Sequence, residues 1–199
     1  MRAWPSKLRK GPPRPTAFLD RDGTLNHDRP GAYITRPEQL KIYAKAPAAL
    51  RLMASKGYRI VVVTNQSAVG RGYMTLEASK RINLRLARAL RAAGAPVDAI
   101  YFCPHAPSES CSCRKPAPGL LEEAAADLPF VRTSSFVAGD KKSDLDLARN
   151  SGLRGLLVRT GQWRSLAPAA ARKSYASLLA LARALPDMTR AETRKRKTR

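Results

Sequence analysis

Phe18-Leu19-Asp20-Arg21-Asp22-Gly23-Thr24-Leu25 is the stretch on which the fold turns. The short apolar run Thr16-Ala17-Phe18-Leu19 stops at two carboxylates placed two residues apart. The same pattern recurs twice. Val61-Val62-Val63 stops at Thr64-Asn65-Gln66-Ser67, and Phe136-Val137-Ala138 stops at Gly139-Asp140-Lys141-Lys142-Ser143-Asp144. Short β-branched and apolar runs of this kind read as buried strands. In an open α/β sheet the ligand site lies beyond the carboxyl ends of the strands. A lone Asp-x-Asp-Gly also occurs in turns, where Asp and Gly serve geometry alone. Three polar strand ends in one short chain weigh against that reading.

The segments between them complete the pattern. Residues 46–57 read as a helix closed by Gly57, and 75–93 as a long helix with Thr75 as N-cap and Gly94 just past its end. Further strands are expected over 58–63, 97–102, 135–138 and 155–158, and further helices over 118–127, 144–150 and 165–185. Strands alternating with helices predict an α/β fold: a doubly wound, mostly parallel sheet with helices on both faces. The 199 residues suffice for one such domain. It is expected over 16–186, between a basic irregular arm (1–15) and a basic, disordered tail (187–199).

Composition bounds the partners. Hydrophobic residues make up 44% and charged residues 26%, as in soluble globular domains, so wholesale disorder is excluded. The outlier is 37 Lys+Arg against 15 Asp+Glu, a net +22. Such an excess suits nucleic acid, an anionic membrane or a phosphorylated small molecule. Much of it sits at the ends: Arg2, Lys7, Arg9, Lys10 and Arg14 at the start, and Arg190, Arg194, Lys195, Arg196, Lys197 and Arg199 at the finish. Those last residues lack the interleaved aromatics on which bases would stack. No apolar stretch approaches the roughly 20 residues of a spanning helix. The first residues lack the apolar run of a secretory signal. Three cysteines crowded into 103–113 do not make a secreted disulfide framework. The expectation is a cytoplasmic monomer with no membrane partner.

The strand ends define a chemistry. Of two carboxylates two residues apart, Asp20 and Asp22, one can attack as a nucleophile. The other can give a proton to the leaving group and later take one from water. Asp140 can join Asp20 to hold Mg²⁺, which prefers a few oxygen ligands and leaves room for substrate phosphate. Lys115, Lys141 and the Thr64 hydroxyl can neutralise a transferring phosphoryl group.

Asp20–Thr24, the strand-end Thr64, Lys115 and Gly139–Asp144 together resemble, in order and spacing, the four motifs of the haloacid dehalogenase (HAD) superfamily of phosphatases. The resemblance spans about residues 16–162. It implies that Asp20 forms an aspartyl-phosphate and that Asp22 is the general acid/base. Thr64 and Lys115 would stabilise the phosphoryl group. Asp20, the Asp22 carbonyl and Asp140 would bind Mg²⁺. Asp144 either orients this loop or caps the following helix.

Cys103, His105, Cys111 and Cys113 supply three thiolates and one imidazole within eleven residues. Cys₃His is a tetrahedral structural zinc set, and four protein ligands leave no open position for water. The alternative is buried cysteines acting as small apolar fillers, which fits poorly beside the polar Ala106-Pro-Ser-Glu-Ser110. The loop runs into Arg114-Lys115, so fixing Cys111 and Cys113 would fix both cations. A zinc loop at this place resembles the subgroup of heptose 1,7-bisphosphate phosphatases and related histidinol-phosphatase domains. That resemblance implies substrate contacts from Asn65, Gln66 and Ser67, and from Asp28, Arg29, Pro30 and Gly31. It also implies substrate recognition by Arg114 and a phosphate contact from Lys141. No large cap fits between Asp22 and the strand near 60, or between Thr64 and Lys115, so a minimal cap is expected. The implied substrate is a small phosphorylated sugar. Alternatives are histidinol phosphate and, from another class, polynucleotide ends or nucleic-acid binding. His27 reads as a solvated loop residue, Tyr101 and Trp163 as packing residues, and the arginines of 75–93 as a solvated face.

Overall fold

The computed structural model describes residues 1–5, 8, 11–163 and 174–189. Seven strands form one sheet: β1 (Arg2–Trp4), β2 (Thr16–Leu19), β3 (Arg59–Asn65), β4 (Ala99–Cys103), β5 (Phe136–Gly139), β6 (Arg154–Val158) and β7 (Ser174–Tyr175). Their order is β1-β4-β3-β2-β5-β6-β7. All neighbours pair in parallel except β1, which runs antiparallel to β4. The helices are α1 (Ala46–Ser55), α2 (Leu76–Ala92), α3 (Gly119–Asp127), α4 (Lys142–Asn150) and α5 (Leu178–Ala184).

Strand alternation divides the core. Ala17, Leu19, Ile60 and Val62 face one way, with Leu50 and Met53 of α1, Leu86 and Leu90 of α2, and Leu178 and Leu181 of α5. Phe18, Val61, Val63 and Tyr101 face the other way, with Leu120 and Leu121 of α3 and Leu147 of α4. Both faces of the central strands are therefore dry, which is why they read as unbroken apolar runs. The chain reverses its winding at β2, with β3 on one side and β5 on the other. Asp20 and Asp140 each follow a strand at this reversal, where an α/β sheet opens a crevice.

Three expectations need correction. The first arm is not wholly irregular: Arg2–Trp4 pairs with β4, Arg2 binds Asp127 at 2.6 Å, and Trp4 packs on the core. Long-range pairing and burial overrode the local proline content. Residues 165–185 are not one helix: Ser174–Tyr175 pairs with β6, and the helix spans Leu178–Ala184, capped by the Ser177 hydroxyl. Residues 164–173 and 190–199 lie outside the described residues. Residues 187–189, expected to open a disordered tail, are held in place: Met188 packs on the core and its N–H donates to the Lys56 carbonyl at 2.9 Å. Tyr101 is buried as expected, and Lys80, Arg81, Arg85, Arg88 and Arg91 are exposed on α2. No helix among the described residues is long and apolar enough to cross a membrane.

Leu19 is fully buried beside the Asp20 turn. Leu19→Ala should lower stability by about 2–5 kcal/mol. A urea midpoint unchanged from the parent would contradict this core assignment.

Candidate active site

The site is built at the carboxyl ends of β2, β3 and β5. Asp20 is buried, and its N–H donates to the Ala138 carbonyl at 2.9 Å, which stitches the first motif to β5. Its Oδ1 accepts a hydrogen bond from Lys115 Nζ at 2.7 Å. The same ammonium donates to Asp144 Oδ1 at 2.6 Å and to the Val63 carbonyl at 2.9 Å. Burial works to lower the Lys115 pKa, but the two carboxylates outweigh it and hold the ammonium charged. Asp144 also accepts from the Lys141 N–H at 3.1 Å, so it both orients Lys115 and caps α4.

Asp140 is wholly buried. Gly23 (φ +89°) and Gly161 make its place: a Cβ on either would collide with the Asp140 carboxylate. The Gln162 N–H donates to Asp140 Oδ2 at 2.6 Å. Burial, then the charge of Asp20, pushes the Asp140 pKa up to about 7. One carboxylate oxygen each from Asp20, Asp140 and Asp144 lies within 4.8 Å of the others. This is an acidic nest with more negative charge than Lys115 neutralises.

Asp22 sits differently. The nearly inaccessible Arg21 gives its carboxylate two hydrogen bonds from Nη2, at 2.8 and 3.0 Å, and one from Nε at 3.1 Å. Asn26 Nδ2 and Gln66 Nε2 add bonds at 2.8 and 3.1 Å. Burial raises its pKa, but Arg21, Asn26 and Gln66 outweigh this and leave it lowered. Gln66 Nε2 also donates to Thr64 Oγ1 at 2.9 Å, tying the acid to the threonine.

Of these residues, Asp20, Arg21, Asp22, Thr64, Gln66 and Lys115 line an open pocket of about 470 Å³, whereas the buried Asp140 and Asp144 do not. The wall includes Asp28, Arg29 and Gly31; Pro30 is exposed but does not line it. Thr64, Asn65, Gln66, Ser67, Arg114, Lys115 and Lys141 line it as expected from sequence. Asn65 has a structural duty as well. Its amide exchanges two hydrogen bonds with the Lys115 backbone, both at 3.0 Å. Lys141 Nζ lies 3.4 Å from Asp28 Oδ2 and 3.3 Å from the Asp22 carbonyl. His27 is exposed, packs its ring against Tyr43 and does not line the pocket.

The sequence reading gave no role to Tyr33, Ser143 and Gln162, which also line the pocket. It also missed Asn83, fully buried on α2, whose Oδ1 accepts from Arg21 Nη1 at 2.9 Å. A signal for Asn83 exists. It is a polar residue on the otherwise apolar stripe of Ile82, Leu86 and Leu90, in reach of the strand ends.

Beside the pocket, Cys103, His105, Cys111 and Cys113 converge. The Cys103–Cys111 and Cys111–Cys113 sulfur–sulfur distances are 3.5 Å, and His105 Nδ1 lies 3.5 and 3.3 Å from Cys103 and Cys113. These separations exclude disulfides, with their bonds of about 2.05 Å. They come near the roughly 3.8 Å edge of a tetrahedron with metal–sulfur bonds of about 2.3 Å. Arg114 follows directly, and its Nη1 reaches the His105 carbonyl at 3.4 Å.

Known proteins resemble this chain in sequence and fold. A chain from Thermoplasma acidophilum, named a probable D-glycero-D-manno-heptose-1,7-bisphosphate 7-phosphatase, is 47% identical over 139 residues, 69% of this chain and 86% of that one. A HAD-hydrolase-like family model matches residues 112–181. The chain belongs to the HAD-type hydrolases. The D-glycero-beta-D-manno-heptose-1,7-bisphosphate 7-phosphatase of Helicobacter pylori is 38% identical over 144 residues, 72% of this chain and 82% of that one. A D,D-heptose 1,7-bisphosphate phosphatase from B. bronchiseptica, solved with magnesium and phosphate, superposes with a TM-score of 0.73. It is 31% identical, over 85% of this chain and 96% of that one. The mostly parallel sheet is thus that of a HAD-type phosphatase.

In this HAD-type hydrolase, Asn83→Leu should leave a buried Arg21 donor without its acceptor. That costs about 1–3 kcal/mol, or more for a charged donor. Chemical denaturation against the parent checks it; no loss would mean that Arg21 finds another partner.

Proposed function

We infer that the chain is a phosphatase hydrolysing the C7 phosphate of D-glycero-D-manno-heptose 1,7-bisphosphate through an aspartyl-phosphate on Asp20. The observation that carries this reading is the floor of the pocket. A buried nucleophilic carboxylate is held by Lys115 beneath a rim bearing Arg29, Arg114 and Lys141. A substrate with two phosphates matches a site with cations both at the floor and at the rim.

Asp20 attacks phosphorus, and the bond from phosphorus to the sugar oxygen breaks. The leaving oxygen takes the Asp22 proton. Asp22 then takes a proton from water, whose oxygen attacks the acyl phosphate and releases phosphate and Asp20. Arg21 favours the charged form of Asp22, whereas an arriving phosphate dianion favours the protonated form that the first step needs. Lys115 and the Thr64 hydroxyl hold the transferring oxygens.

The donor set fits Mg²⁺: Asp20 and Asp140 supply hard oxygens, with the Asp22 carbonyl as third ligand, while Asp144 is committed to Lys115. Bound there, Mg²⁺ would neutralise the repulsion between an anionic nucleophile and an anionic ester. The Cys₃His cluster fits Zn²⁺ as a closed structural site that sets the direction of Arg114 and Lys115.

Three outcomes follow. Wild type should release phosphate from heptose 1,7-bisphosphate faster than from histidinol phosphate, and Asp20→Asn should lower kcat by about 10³-fold or more. Undiminished turnover by the variant would remove Asp20 from the chemistry. Chelating zinc, or Cys113→Ser, should lower Tm and cut kcat/KM by about 10–100-fold. A chelated protein with parental Tm and kinetics would exclude a structural metal. The folded pKa of Asp140 lies above its unfolded value, so the metal-free protein keeps this group's stability below about pH 4. It loses that stability as pH rises through about 7. Mg²⁺ competes with that proton, so the Tm gained on adding Mg²⁺ should be larger at about pH 8 than at about pH 5.5. Asp140→Asn should erase the difference; an equal gain at both pH values would remove Asp140 from the metal site.

A further inference from the structure

The opposite pole of the sheet carries a second cavity, of about 680 Å³. It lies at the amino ends of the parallel strands. Arg59 opens β3, Asp98 immediately precedes β4, and Arg14 comes two residues before β2. β3 runs from there to the catalytic end, so the two sites lie roughly 20 Å apart. Trp4, Arg14, Arg59, Arg91, Asp98 and Leu128 line it.

Its charge is unbalanced. Three arginines and one aspartate line the cavity, and the carboxylate is engaged: Asp98 Oδ2 accepts the Ile60 N–H at 2.8 Å. Arg59 is the key group. It is 5% exposed, yet among the described residues its side chain makes one hydrogen bond, from Nη1 to the Pro129 carbonyl at 2.9 Å. No carboxylate of the described residues lies within ion-pair distance of it. Burial, opposed by Asp98 and reinforced by the nearby charge of Arg14, makes its proton less tightly held than usual. A buried guanidinium with spare donors beside further arginines is the chemistry of an oxyanion cradle. Arg21, the other deeply buried arginine among the described residues, shows the contrast: its donors meet Asp22 and Asn83. The remaining wall is apolar. The Trp4 ring is pinned by its N–H to the Val97 carbonyl at 3.4 Å, with Leu128 beside the cavity.

We propose that this cavity is a second anion site, distinct from the catalytic pocket, that takes a small organic phosphate. Its phosphoryl group lies on Arg14, Arg59 and Arg91, and its flat body lies against Trp4. The site is independent of the substrate assigned to the catalytic pocket.

Trp4 is itself the reporter, since the chain has two tryptophans. In an Asp20→Asn/Trp163→Phe protein, whose turnover is suppressed, ADP should change Trp4 fluorescence saturably. Inorganic pyrophosphate should compete with it. Arg59→Met should raise the ADP midpoint by about tenfold or more. Arg91→Met should raise it several-fold, and stands in if the buried substitution does not fold. Arg85→Met, an exposed charge elsewhere on α2, should leave it unchanged. In the otherwise wild-type enzyme, Arg91→Met should leave phosphatase rates unaltered. The proposal is overturned by any of three results: no saturable change up to about 5 mM ADP, no competition by pyrophosphate, or a shift in Arg85→Met equal to that in the cavity variants.

Discussion

The Lys115 ammonium, buried between Asp20 and Asp144, is the interaction on which the rest of the site depends. Desolvating three charged groups is costly, and the arrangement holds because each is satisfied by a partner at hydrogen-bond distance. Lys115 reaches Asp20 and Asp144 from a different segment, after β4, and donates to the Val63 carbonyl of β3 on the way. One ammonium therefore joins the ends of β2, β3 and α4. Removing it would strand two buried carboxylates and loosen the crevice.

The second constraint is the packing that aims Lys115. Asn65 clamps the Lys115 backbone on one side, and the Cys₃His loop ends at Arg114 on the other. The rim of the pocket is made of short segments rather than of a large cap. Asp28, held near Lys141, and Arg29 come from the loop after β2, and Arg114 from the end of the cysteine loop. The opening leaves room for a metabolite with charge at both ends.

Much of the +22 charge stands apart from this chemistry. Arg29, Arg114, Lys115 and Lys141 face the phosphate pocket, and Arg14, Arg59 and Arg91 gather at the far pole. Lys80, Arg81, Arg85 and Arg88 stand on the exposed face of α2. Basicity that first suggests nucleic acid thus resolves into local groupings with different surroundings.

The sequence by itself determined the α/β class, the strand ends and most of the residues that line the pocket. Those signals are local: an apolar run of strand length followed by Asp, Thr or Gly-Asp needs no distant contact to be read. The cysteine spacing was legible for the same reason. What only the tertiary structure decided are features whose cause is distant in the chain. Arg2–Trp4 is a strand because β4 offers it an edge, and Ser174–Tyr175 is one because β6 does. Asn83 matters because α2 crosses beneath Arg21, sixty-two residues away in sequence. Arg59 and Arg14 become one cluster because parallel strands bring their amino ends together at a single pole. Burial and pairing across such separations are set by how the layers pack, and a local pattern such as the polar Asn83 on an apolar stripe can flag the residue without naming its partner.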